Sequence, residues 1–152
     1  MKFSSLKIAA VLIVLAAGQP VMAGVADEEA AFLGAYKAAF AAHDAKGLSD
    51  LLYTEGADPV ALQFYTEMMT AQIKDGTIVS AELQPLSDTD AAEAAMVQDG
   101  PTGKVKLAPK PYKKLVVKME SKDANGSSSS TDSVFVAELG GKLVICTPAP
   151  AN

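Results

Sequence analysis

Among its 152 residues the chain has no arginine and no tryptophan, and one residue each of histidine and cysteine. Each scarcity excludes something. With Cys146 alone, no internal disulfide can form and the fold must rest on packing. Cys146 follows Leu143-Val144-Ile145 and reads as a small apolar strand residue, with an intermolecular bridge as the sharper alternative. One His, one Cys and no tight carboxylate cluster give no zinc or calcium spacing, so neither a metal nor any other cofactor is expected. Lysines number 13 against 18 acidic residues, for a formal charge of −5. That balance lacks the basic, guanidinium-bearing footprint that phosphate recognition needs, and nucleic acid is not an expected partner. Gly100-Pro101-Thr102-Gly103 precedes neither a Walker lysine-serine pair nor a helix, so it is not a phosphate loop.

Long hydrophobic runs are scarce too. The one at Ile8–Ala17 falls short of the roughly 20 apolar residues that cross a bilayer. Lys2 and Lys7 precede or open it, Gly18-Gln19-Pro20 breaks it, and Val21-Met22-Ala23 closes it, which is the layout of a secretory signal peptide. Residues 1–23 are therefore expected to be removed between Ala23 and Gly24, leaving a secreted or periplasmic protein with no membrane span. Position 24 is glycine, which excludes a lipoprotein cysteine there. Removing 23 of the 152 residues leaves 129, enough for one domain at 24–147, followed by a flexible tail at 148–152. Taking Lys2 and Lys7 from the 13 lysines leaves 11 against 18 acids, a charge of −7. Most remaining lysines lie between Lys104 and Lys122 and read as a solvated face of strand and loop.

After the leader the apolar period is helical. Phe32, Ala35, Tyr36, Ala39, Phe40 and His43 form a stripe, and Asp27-Glu28-Glu29 place negative charge on its first turn. Leu48, Leu51 and Leu52 make a short second helical turn. Asp58-Pro59 is a start signal for a third helix to about Asp75, because Asp caps free amides and Pro loses nothing at the first helical position. Gly76 should stop it in the left-handed conformation. This helix carries two apolar stripes, one of Ala61, Phe64, Tyr65, Met68 and Gln72, the other of Leu62, Met69 and Ile73.

The period then becomes that of strands. Val79, Ala81 and Leu83 share one face, and Leu115, Val117 and Met119 another, with turns at Asp123-Ala124-Asn125-Gly126 and Gly140-Gly141. Strands are expected near 77–83, 112–121, 128–139 and 142–147. The segment Ser87–Pro111 reads as a loop-rich insertion with one short helix over Ala91–Val97, started by Asp90-x-x-Glu93. Helices first and an antiparallel meander after them make an α+β domain, with N-terminal helices packed on a curved antiparallel sheet.

The order of these elements, with Phe32-x3-Tyr36-x3-Phe40, the His43-to-Leu52 step and the Asp58-Pro59 helix, resembles the NTF2-like (SnoaL-like, cystatin-like cone) superfamily over about residues 27–147. The 87–111 insertion and the lack of a strand between the second and third helices depart from that pattern. The resemblance implies an open cone whose cavity lies between helices and sheet. Some members are isomerases, dehydratases or hydrolases; many only bind ligands or proteins. Tyr36, Phe40, His43, Tyr53, Phe64, Tyr65 and Met68 are the candidate pocket residues here. The expected function is that of an exported, non-catalytic domain that binds a small apolar ligand or serves as an accessory protein, with a homodimer through the sheet as a further partner. The alternative is a small isomerase or dehydratase using a pocket His or carboxylate. No residue is assigned a catalytic role, since His43 is explained by its place at the end of a helix and Asp58 as a cap. Aromatics that fill the cavity would leave a structural or interaction role.

Overall fold

The computed structural model describes residues 21–151. Most of the expected leader, residues 1–20, lies outside the described residues. Helix α1 (Val21–Ala41) begins earlier than its periodicity implied, so Asp27, Glu28 and Glu29 lie past its first turn. Its stripe Phe32, Tyr36, Ala39 and Phe40 is buried. The helix closes in a Schellman turn, with the Asp44 N–H donating to the Ala39 carbonyl (2.8 Å) and the His43 N–H to the Phe40 carbonyl (3.1 Å). That turn needs a left-handed residue, and the residue is His43 at φ 52°, where glycine is usual. His43 therefore sits outside the helix rather than in its last turn. Asp44 then caps α2 (Ala45–Ser49) through the Gly47 N–H, and Leu48 is buried.

Helix α3 (Pro59–Asp75) begins on Asp58 as expected; one carboxylate oxygen accepts from Val60 N (3.0 Å) and Ala61 N (2.9 Å). Its second stripe faces the core, with Met69 and Ile73 buried and Leu62 packed against them. The first stripe divides: Tyr65 and Met68 are half-buried, and Phe64 is 63% exposed. Gly76 is extended (φ −97°, ψ 150°), not left-handed. Glycine is needed there for space, because a Cβ would meet the Gln72 carbonyl oxygen at 2.8 Å.

The chain runs straight from Gly76 into β1 (Gly76–Pro85), which with β4 (Lys113–Asp123), β5 (Gly126–Leu139) and β6 (Lys142–Ile145) forms an antiparallel sheet of order β1-β4-β5-β6. Leu115, Val117 and Met119 point together into the core, as their alternation implied, against Phe32, Tyr36, Phe40, Leu52, Met69 and Ile73. Each such burial contributes about 1.5–3 kcal/mol. Val79 does not share the Ala81 and Leu83 face. A bulge between Ile78 and Ser80 leaves it unpaired and 60% exposed, and Ile78 turns toward the core instead.

The 87–111 segment is more ordered than a loop. Ser87 and Asp90 form a capping box for α4 (Asp88–Ala94), three residues before the expected start. Lys114 alternates with core-facing Leu115 and so lies on the sheet's outer face, where its ammonium meets Asp90 at 2.8 Å. Hydrogen bonds from Lys114, then from Ser87, hold the Asp90 carboxyl down at about 2. Helix α4 thus sits opposite α1–α3. Strands β2 (Gln98–Gly100) and β3 (Gly103–Ala108) follow, and β3 pairs with β7 (Thr147–Pro150) in a second sheet of order β2-β3-β7. The expected frayed tail is therefore paired strand from Thr147 to Pro150. Its two prolines fit because β7 is an edge. The strands form two sheets rather than one meander, and the class is α+β, as expected.

Candidate functional site

Aromatic side chains of α1 are buried between α1–α3 and the first sheet. Tyr36 and Phe40 are 4% and 3% exposed, with ring centroids 6.2 Å apart. Burial, and then the charge of Asp132, push the Tyr36 phenol up to about 12. Such a phenol stays protonated and moves no proton near neutrality. Tyr53 acts through its backbone instead: its N–H donates to the Ile145 carbonyl (2.9 Å) and its carbonyl accepts from the Thr147 hydroxyl (2.7 Å). Phe64 stands edge-on to Tyr65, with centroids 6.4 Å apart, and points into solvent. The seven candidate residues therefore do not converge on one pocket.

Two of them do meet in a cleft of about 450 Å³ between the end of α1 and β1. Lys37, Phe40, Ala41 and His43 form one wall, and the β1 segment from Gly76 to Ser80, with exposed Val79, forms the other. The bulge widens this wall, and β1 is the sheet's open edge, so the main chain here keeps polar groups that no neighbouring strand takes up. His43 also lines a second cleft, of about 380 Å³, with Ala45, Thr70, Ile73 and Lys74. Its Nδ1 donates to the Ile73 carbonyl, fixing the ring to the last turn of α3. Neither set of lining residues includes an aspartate or glutamate.

Tyr65 belongs elsewhere. It lines a cleft of about 290 Å³ between the two sheets, with Glu93, Met96 and Cys146. Cys146 is buried and free, and its thiol donates to the Pro109 carbonyl at 3.4 Å. It lies in the step between β6 and β7 rather than within a strand. Burial pushes the thiol up to about 12, and burial also raises the Tyr65 phenol. A nucleophile needs the opposite shift and an adjacent base, and His43 lines other clefts. Among the described residues no group of three or more His, Cys, Asp or Glu is arranged to hold a metal ion.

Sequence reasoning missed Lys37, Lys74, Ile78 and Val79. The lysines do carry a signal: neither has an acidic residue three or four positions away, unlike Lys46, which pairs with Asp50 one turn on. The bulge that exposes Val79 leaves no such mark in an alternating strand. Comparison with protein-family models, curated proteins and solved structures finds no match for this chain.

Proposed function

We propose that this protein is an exported, non-catalytic binding or accessory domain of NTF2-like kind, acting at its surface through the α1–β1 cleft. The observation that carries this reading is an open, partly apolar cleft whose lining holds no catalytic pair. Phe40, Ala41, Ile78 and Val79 supply its apolar wall, and about 450 Å³ lies in the range of small-molecule sites. An isomerase or dehydratase needs a base and a second polar group set against the same substrate atoms. Here the imidazole is committed through Nδ1 to the Ile73 carbonyl, and no carboxylate lines its clefts. Export is supported by the Lys2 and Lys7 flank, the short apolar run and the Val21-Met22-Ala23 junction. Cleavage there would bring Asp27 into the first turn of the trimmed helix, where its charge is favoured. A second copy pairing through the sheet would use the β1 edge, and the bulge at Val79 interrupts that edge, which favours a ligand over a strand.

Native mass spectrometry of the protein purified from its own cells tests the reading. The expected result is a small non-covalent adduct on the wild type that is lost in Val79→Asp, a change at an exposed position. A clean wild-type chain, or an adduct unchanged by Val79→Asp, overturns it.

A further inference from the structure

The lining of the two clefts that share His43 has a charge unlike the rest of the chain. Acidic residues outnumber lysines by 18 to 13 overall, yet these walls contain Lys37, Lys74 and His43 and no acid. The nearest acids in sequence are engaged or turned away. Asp44 accepts the Gly47 N–H as the cap of α2, and Asp75 lines a different recess with Ser128 and Asp132. Lys37 and Lys74, like Lys106, Lys110, Lys118, Lys122 and Lys142, form no ion pair among the described residues, unlike Lys46, Lys104, Lys113 and Lys114. One lysine thus borders each of two partly apolar clefts, Lys37 the first and Lys74 the second, with His43 between them.

One effect opposes an anion there. α1 and α3 both end at this site, and each helix C-terminus carries roughly half a negative charge. Those carbonyls are not bare, however: the Schellman turn takes up Ala39 and Phe40, His43 takes up Ile73, and the Gly76 N–H takes up Gln72. Lysine charges therefore outweigh the helix ends, and Thr77, Ser80 and the open β1 edge add polar contacts beside them.

Resting on the binding reading above, we propose that the ligand is a small organic anion, a monocarboxylate with an apolar body. Its chain lies along Phe40, Ile78 and Val79, and its carboxylate lies toward Lys37 and His43, with Lys74 adding its charge from the adjoining cleft on the other side of His43. Charge complementarity selects this occupant over a neutral lipid or an extended peptide.

Titration of the protein with decanoate and with decan-1-ol, followed by backbone amide shifts, tests the proposal. The expected result is that decanoate binds more tightly, moving the signals of Phe40, His43 and Val79. The double variant Lys37→Met, Lys74→Met keeps the aliphatic stems and should weaken decanoate about tenfold while leaving decan-1-ol unchanged. Lys46→Met, outside the clefts, should change neither. Equal binding of the two probes, or decanoate binding indifferent to the double variant, overturns the anion proposal and leaves the cleft as a neutral apolar site. Failure of both probes to bind, or shifts confined to other surfaces, overturns the proposal together with the reading beneath it.

Discussion

Helix α3 starts on an aspartate with no solvent exposure, whose side chain is bonded to the helix and to the β2–β3 turn and whose N–H is bonded to β7, whereas the same helix ends against an exposed histidine and an open cleft. At the first end every polar atom of Asp58 has a task. Oδ1 accepts from Val60 and Ala61, Oδ2 accepts from the Thr102 hydroxyl, and the Asp58 N–H donates to the Pro148 carbonyl at 2.8 Å. Amide donors and the helix dipole stand in for the water that this buried carboxylate would hold at the surface. At the second end a histidine in a left-handed conformation bonds the Ile73 carbonyl at the surface, and Lys37 and Lys74 have no acidic partner among the described residues. One end is committed to holding the fold together, and the other is free to meet something else.

Substitutions can break or sharpen that contrast. The largest effect is expected for Asp58→Ala, which removes the cap and strands the Thr102 hydroxyl; urea denaturation should show a loss of about 3 kcal/mol. Thr102→Val should cost about 2 kcal/mol in the same assay, since it leaves one oxygen of a buried carboxylate without its donor. At the other end, His43→Ala should cost only about 1 kcal/mol, from the lost bond to the Ile73 carbonyl. His43→Gly should recover most of that loss, because glycine adopts φ near 52° without a steric penalty. Smallest of all, Lys37→Met and Lys74→Met should leave the melting free energy within about 0.5 kcal/mol of wild type. If the lysine variants destabilised the chain as much as Asp58→Ala, the C-terminal end of α3 would be structural as well.

The same two ends mark how far the sequence could be read. Asp58-Pro59 is a local signal, complete within two residues, and the start of α3 was legible from it. So was the inward face of Leu115, Val117 and Met119, where strict alternation survives in a strand paired on both sides. Gly76 was placed correctly as the stop but with the wrong backbone, because its role is set by the distance to the Gln72 carbonyl and by a strand that starts at once. Val79 was assigned to the wrong face because a bulge shifts the register without changing composition. The 148–152 tail looked frayed because Pro148 and Pro150 suit an unpaired segment, and its partner, β3, lies far back in the chain. The candidate site fared in the same way. Phe40 and His43 were found by helical spacing, while the opposing wall is contributed by β1, and only the tertiary fold brings the two together.

The bonds around Asp58 also set an order of events. Residue 58 is joined to 102 across 44 positions and then to Pro148 near the other end of the chain. The second of these is among the longer-range contacts in the fold, and closing such loops is what slows a folding chain. A polypeptide delivered from its N-terminus by a ribosome can form α1 and the β4–β5 hairpin early, but it cannot complete the anchor of α3 until Pro148 has emerged. Maturation of the fold is thereby timed by its last strand.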